Sequence, residues 1–195
     1  MTTPVVSIAY HSGFGHTAVV AEAVRTGAVE AGAEVHLIKV DEITEEQWTL
    51  LDRSDAIVFG SPTYMGTASG AFHTFAEATS KRWATQAWKD KLAAGFTNSG
   101  SKSGDKLHTL QFFQILAGQL GMHWINLGLL PGWNHSAASE NDLNRLGVFA
   151  GAAAQTDVDA APDAVHKADV ATAEHLGRRV AETARTFAVG RAAAA

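Results

Sequence analysis

The chain has 195 residues, 46% of them hydrophobic, enough for one substantial core, and its formal net charge of -5 offers no basic face to a polyanion such as nucleic acid. Cysteine is absent, so disulfides and thiolate metal sites are excluded and any redox chemistry falls to a bound cofactor. No apolar run approaches the roughly 18 residues that span a bilayer, and Met1 to Ser7 lacks the charged and apolar regions of a signal peptide, so a single cytoplasmic domain over residues 1–195 is expected.

Pro4 to Tyr10 is an apolar, β-branched run of the kind buried on both faces of a sheet, and His11 to His16 is a polar loop with glycines. From Thr17 to Ala31, Val20, Val24, Ala28 and Ala31 recur at helical spacing, and Gly32 supplies a stop. Glu34 to Val40 predicts a second strand, Glu45 to Leu51 a short helix, and Asp55 to Gly60 a third strand that ends at the Ser61-Pro62 turn. Ser69 to Thr79 reads as a helix with Phe72 and Phe75 inward, followed by a tryptophan-rich stretch with Trp83 and Trp88. Lys91 to Thr97 returns to strand, Asn98 to Gly104 is another polar glycine loop, and Leu107 to Leu120 is a long apolar helix. Met122 to Leu130 predicts the last strand, while Pro131 to Ala161 shows no assignable pattern. A closing helix from about Asp163 to Phe187 carries Ala173, Leu176, Val180, Ala184 and Phe187 in one apolar stripe, and Ala192 to Ala195 reads as a frayed tail. The alternation implies a parallel sheet with covering helices.

In such a sheet, ligands bind beyond the carboxyl ends of the strands, near the point where strand order reverses. Three loops lie there. In Ser12-Gly13-Phe14-Gly15-His16-Thr17, two hydroxyls and two glycines precede a helix, so backbone N–H groups and the helix start can surround a phosphate without a basic residue. The spacing Gly13-x-Gly15-x-x-Ala18, with Asp41 near the end of the second strand, also fits a dinucleotide fingerprint, and an ordinary strand-to-helix turn fits as well. Ser61-Pro62-Thr63-Tyr64-Met65-Gly66 adds apolar faces from Tyr64 and Met65 and a free N–H at Gly66, the groups an isoalloxazine needs against its ring and near N5. Thr97, Asn98, Ser99, Gly100 and Gly104 offer backbone and hydroxyl contacts to a pyrimidine edge. Together the loops point to flavin mononucleotide (FMN).

The same segments, Tyr10 to Thr17 and Ser61 to Gly66 with Ser69-Gly70-Ala71-Phe72, resemble the flavodoxin-like, WrbA-type NAD(P)H:quinone oxidoreductases. The likeness runs nearly end to end, through Arg82-Trp83-Ala84, Lys91-Leu92-Ala93, Thr97-Asn98-Ser99-Gly100, Leu120-Gly121-Met122 and the closing Ala173-x-x-Leu176-Gly177-x-Arg179-Val180. It implies a three-layer α/β/α sandwich around a five-stranded parallel sheet of order 2-1-3-4-5. It further implies FMN as cofactor and two-electron reduction of a quinone, with NADH or NADPH passing a hydride to flavin N5. On the matching positions, it puts Ser12, Gly15, His16 and Thr17 at the phosphate, Pro62 to Gly66 at the isoalloxazine, and Thr97, Ser99, Gly100 and Gly104 in the third loop. A tryptophan at the position of Trp83 lines a neighbouring subunit's active site in that family, which implies a homo-oligomer, a dimer or tetramer, with Trp83 and Leu120 in the substrate pocket; Trp133, in the segment that departs from the family, is expected to reshape one wall of that pocket. Tyr64 stands where the family usually has arginine, Leu120 where it has histidine, and Pro131 to Arg145 diverges most. The competing readings are a one-electron carrier like flavodoxin and a flavin-bound interaction or sensor protein.

Other chemistries find little support. His11, His16, His73, His108 and His123 sit in separate elements, without the spacing of a helix-borne metal site. No catalytic acid or base is assigned, because hydride transfer to a flavin needs no strong protein acid. Ser12, Ser61 and Ser99 lack a nucleophile elbow, and Asp41, Glu42, Glu45 and Glu46 read as a solvated helix start.

Overall fold

The computed structural model describes residues 3–194, so Met1, Thr2 and Ala195, the outermost residues of the leader and tail readings, lie outside it. Strand β1 (Val5–Tyr10) is central, with β2 (Glu34–Lys39) on one side and β3 (Ala56–Tyr64) on the other; Val6 faces Val35 in one ladder and Ala56 in the next. The short β4 (Thr67–Ala68) turns back antiparallel on the end of β3, and β5 (Leu92–Ser99) pairs parallel along β3's far edge. Two pieces complete the sheet: β6 (His123–Trp124) pairs with the first residues of β5, and β7 (Ala152–Gln155) pairs with the last. With β4 set aside and β6 and β7 taken as halves of one strand, the order β2-β1-β3-β5-β6 is the expected 2-1-3-4-5. Strand order reverses between β1 and β3, which opens a crevice at their carboxyl ends.

Two helical layers cover the sheet. Helices α1 (His16–Glu30) and α6 (Lys167–Ala194) pack on one face, where Val20, Val24, Leu176 and Val180 join Ile8 and Val58 in a single cluster. A Cβ on Gly27 would stand 1.8 Å from the Glu174 carbonyl oxygen, and one on Gly177 would stand 1.9 Å from that of Val24, so the two backbones meet directly. The other face holds α2 (Glu45–Arg53), α3 (Gly70–Ala78) and α5 (Lys106–Gln119), with the one-and-a-half-turn α4 (Ser80–Thr85) extending α3. There the core is aromatic: Phe72 and Phe113 lie 4.7 Å apart by ring centroid, and Trp48 stacks on Phe75 at 5.2 Å. Local sequence starts these helices. Thr44 and Gln47 form a reciprocal capping box on α2, and the Ser69 hydroxyl caps α3.

Several elements differ from expectation. Instead of a turn at Ser61-Pro62, β3 runs on to Tyr64. Its neighbour β1 has ended at Tyr10, so proline's missing N–H costs no bond on that side. The strand expected over Met122 to Leu130 is only His123–Trp124. Beyond Trp124 the chain leaves the sheet, Leu127 donating to the Phe149 carbonyl, and returns as β7. An alanine run carries little strand signal, yet Ala152, Ala153 and Ala154 are 1%, 6% and 0% exposed in the sheet's interior. Helix α6 continues through Ala194 rather than fraying at Ala192, and its buried stripe stops at Ala184, leaving Phe187 exposed. Among the described residues no helix is long and apolar enough to cross a membrane.

Candidate functional site

The loop after β1 forms the floor of the crevice. Gly15, at φ +91°, is the N-cap of α1 and supplies no side-chain cap; a residue with a Cβ there would also strike Pro162, 2.7 Å away. The Ser12 hydroxyl accepts from the Ala18 N–H at 3.1 Å, which curls the loop over the helix start and leaves its own proton free to donate. Among the described residues, the backbone N–H groups from Ser12 to Thr17 find no protein acceptor, and neither does the Thr17 hydroxyl, although Thr17 is 2% exposed. The first turn of α1 carries no acidic residue to oppose the helix dipole. Open donors gathered at a helix start are suited to an anion, and His11, one residue earlier, has a buried Nδ1 without a partner among the described residues. The donor set fits a phosphate.

The second loop is a tight hairpin. Met65 and Gly66, at φ +47° and +85°, lie between the paired residues Tyr64 and Thr67, the backbone signature of a two-residue turn. His108, in the first turn of α5, donates from Nδ1 to the Gly66 carbonyl at 2.7 Å and ties the turn down. Thr63 meets the Thr97 hydroxyl at 2.8 Å and the Thr109 hydroxyl at 2.7 Å, joining β3, β5 and α5 under the crevice. Tyr64 leans back over the first loop, edge-on to Phe14 with centroids 6.3 Å apart, and burial pushes its phenol up. Met65 is fully exposed.

The third loop follows β5. Thr97 and Asn98 are buried, the Asn98 side-chain oxygen accepts from the Thr156 hydroxyl at 3.0 Å, and the Gln155 amide donates to the Gly100 carbonyl at 2.9 Å. Lys106, the first residue of α5, is 1% exposed and donates to the carbonyls of Ser101 and Lys102 from beneath the loop. Burial pulls its ammonium down to about 8, with Asp169 opposing that effect and Arg145 adding to it.

These loops converge. A cavity of about 240 Å³ is bounded by Phe14, His16, Thr17, Pro62, Thr63, Tyr64, Asn98, Ser99 and Gly100. A wider mouth of about 590 Å³ adjoins it, with Met65, Gly66 and Gly104 on its wall. Ser12, Gly13 and Gly15 lie in the same loop below, where a Cβ on Gly13 would come 2.7 Å from the Tyr64 hydroxyl. A fourth wall was not anticipated from the sequence: Thr156 and Val158 line the cavity, and Ala160 accepts from His16 Nε2 at 2.9 Å. The signal that could have found it is the hydroxyl of Thr156 just past an alanine run, but that run does not announce a strand.

Trp83 and Leu120 lie elsewhere. They share a groove of about 420 Å³ with Phe112, Ile115 and Leu116, between α3, α4 and α5, whose lining has no residue in common with that of the crevice. Trp83 is 54% exposed and Leu120 is 1% exposed. Trp133 packs against the third loop, with the Lys102 ammonium 5.2 Å from its ring centroid. Among the described residues no group of three or more metal-ligating side chains converges.

Comparison with known proteins agrees with this fold. The family described as NADPH-dependent FMN reductase matches residues 8–131. Flavodoxin FldP of Pseudomonas aeruginosa is 42% identical over 177 residues, which cover 89% of this chain and 93% of that protein. An NAD(P)H dehydrogenase (quinone) of Methylocella silvestris is 30% identical over 196 residues, covering 92% of this chain and 96% of its own. The crystal structure of a flavodoxin, WrbA-like protein from Agrobacterium tumefaciens superposes with a TM-score of 0.75 at 39% identity, over 94% of this chain and 99% of that one.

Proposed function

The chain belongs to the NADPH-dependent FMN reductase family, as a WrbA-type flavodoxin-like protein, and from that premise we propose that it binds FMN in the crevice and uses it to reduce a quinone with NADH or NADPH. The observation that carries the reading is the run of open N–H donors from Ser12 to Thr17 at the start of an α1 with no acidic first turn. In this reading those donors, with the hydroxyls of Ser12 and Thr17, hold the phosphate dianion. Tyr64, Met65 and the Gly66 N–H would hold the ring, and Ser99, Gly100 and Gly104 would border its pyrimidine. Thr63, Thr97 and Thr109 keep the loops in register, and Thr156 and Val158 line the remaining side of the cavity. When bound, FMN supplies a ring that accepts a hydride and gives up electrons to an acceptor. Trp83, from a second copy of the chain, completes the acceptor's pocket.

The test begins with titration of the protein with FMN, followed by flavin fluorescence. Quenching on binding is expected, and Ser12→Ala or Thr17→Ala weakens it, since each hydrogen bond to a charged group contributes about 1.5–3 kcal/mol, roughly tenfold or more in affinity. Unchanged affinity in both variants refutes the phosphate loop. Anaerobic NADH or NADPH then bleaches the visible band of the loaded protein, and a benzoquinone restores it.

A second reading, an electron carrier, is favoured by Tyr64 at the expected arginine position and by the name of the Pseudomonas aeruginosa relative. Photoreduction separates the two: accumulation of a stable one-electron-reduced spectrum supports the carrier, and direct two-electron bleaching supports the reductase.

A further inference from the structure

Lys106 breaks three local rules at once. It is 1% exposed, its partners are the carbonyls of Ser101 and Lys102, and it begins α5, where a positive charge opposes the helix dipole. The nearby carboxylate is already taken: Asp169 accepts two bonds of 2.8 Å from Arg145, itself buried, and a third from the Gln155 N–H at 3.0 Å. Two cations and one anion are therefore buried together, and one positive charge is left without a paired carboxylate among the described residues. A fold keeps such a charge at a cost in desolvation. Local rules broken without a packing gain mark functional positions.

The place of the charge says what it serves. Ser99, Gly100, Ser101 and Gly104 line the mouth of the crevice, and a Cβ on Gly104 would come 3.4 Å from the Lys106 Nζ. The ammonium thus stands one backbone layer behind the wall that, on the FMN reading, borders the ring's pyrimidine. When a hydride leaves reduced nicotinamide for N5, the donor becomes a cation and the ring gains two electrons and one proton, hence one negative charge. We infer that Lys106 is a positioning residue that acts in two ways, holding the third loop by its carbonyls and serving as the fixed counter-charge of the reduced, anionic ring.

This rests on FMN binding, and the wild type is tested for that first; failure to quench flavin fluorescence overturns the function reading and this inference with it. Given binding, the midpoint potential of the bound flavin is measured by dye equilibration in Lys106→Gln, which keeps an N–H donor without charge, and in Lys106→Arg, which keeps the charge. The Gln variant is expected to bind oxidised FMN within a few-fold of wild type while its preference for reduced over oxidised FMN falls at least tenfold, about 30 mV for two electrons. The Arg variant stays near wild type. Equal shifts in both variants, or loss of oxidised-FMN affinity with no change in potential, reduce Lys106 to a loop anchor and overturn the inference. One check needs no variant: by near-ultraviolet absorbance, reduced FMN bound to the wild type stays anionic to a lower pH than free reduced FMN. Protonation at or above the free value overturns it equally.

Discussion

At the scale of single residues, a buried ammonium leaves a signature in stability. The Lys106 amine titrates near 8 in the folded chain, below its ordinary 10.5, chiefly because burial penalises the charged form. Between those values the unfolded chain holds a proton that the folded chain has released, so this group's contribution to stability rises as pH rises through that window and is flat below it. Urea unfolding of wild type and Lys106→Met from pH 7 to 10 checks this: the difference in unfolding free energy should grow in favour of wild type above pH 8. Parallel curves would show that the amine does not titrate early. Nothing in the sequence advertised this residue, since a lysine opening an apolar helix normally points to water. Ser12, Gly15 and Thr17 were legible as the turn from a strand into a helix, which Gly15 makes at φ +91° as the N-cap of α1; that they hold a phosphate is the proposal. Met65 was legible as part of a loop, but not as a bulky side chain in the left-handed turn region.

At the scale of elements, periodicity identified what is long and regular and missed what depends on a distant partner. β1, α1, β2, α3 and α5 appear within a few residues of their expected bounds because each carries its own apolar pattern. β7 does not, because Ala152 to Ala154 are strand residues only by virtue of β5 beside them. Pro62 misled for the same reason: whether a proline breaks a strand depends on which edge its nitrogen faces. The α1–α6 contact is equally non-local. Gly177 looks like a weak point in a helix, yet a Cβ there would collide with main-chain atoms of α1, which have no rotamer to escape into. Gly177→Ala is therefore expected to lower stability by about 2–3 kcal/mol, seen as a reduced urea midpoint at unchanged slope. Gly190→Ala in the same helix meets nothing within 4 Å and should be neutral or slightly stabilising. Equal midpoints for the two variants would remove the close contact from the account.

At the scale of the whole molecule, the parallel sheet with covering helices followed from the alternation of strands and helices, while the family, and with it the strand order, followed from the ordered set of short motifs. What one chain's sequence does not encode is its neighbour. The Trp83 groove is apolar, half-open and away from the crevice, and large exposed aromatics such as Trp83 are typical anchors of subunit contacts. On the proposed function, Trp83→Ala should impair assembly, measured by light scattering, together with quinone turnover, while FMN affinity measured by fluorescence holds. Full turnover by a monomeric variant would sever the link. The divided edge of the sheet has a different consequence. Trp124 stands opposite Ala93 and Ala152 opposite Phe96, so the two pieces already have the spacing of an unbroken strand. The sheet does not register how much chain is spent between them: residues 125–151 are anchored by buried Ile125 and Leu127 and by the Arg145–Asp169 pair, so the exposed tip at Asn134 to Ala137 is where chain can be inserted or deleted while the sheet beneath keeps its shape.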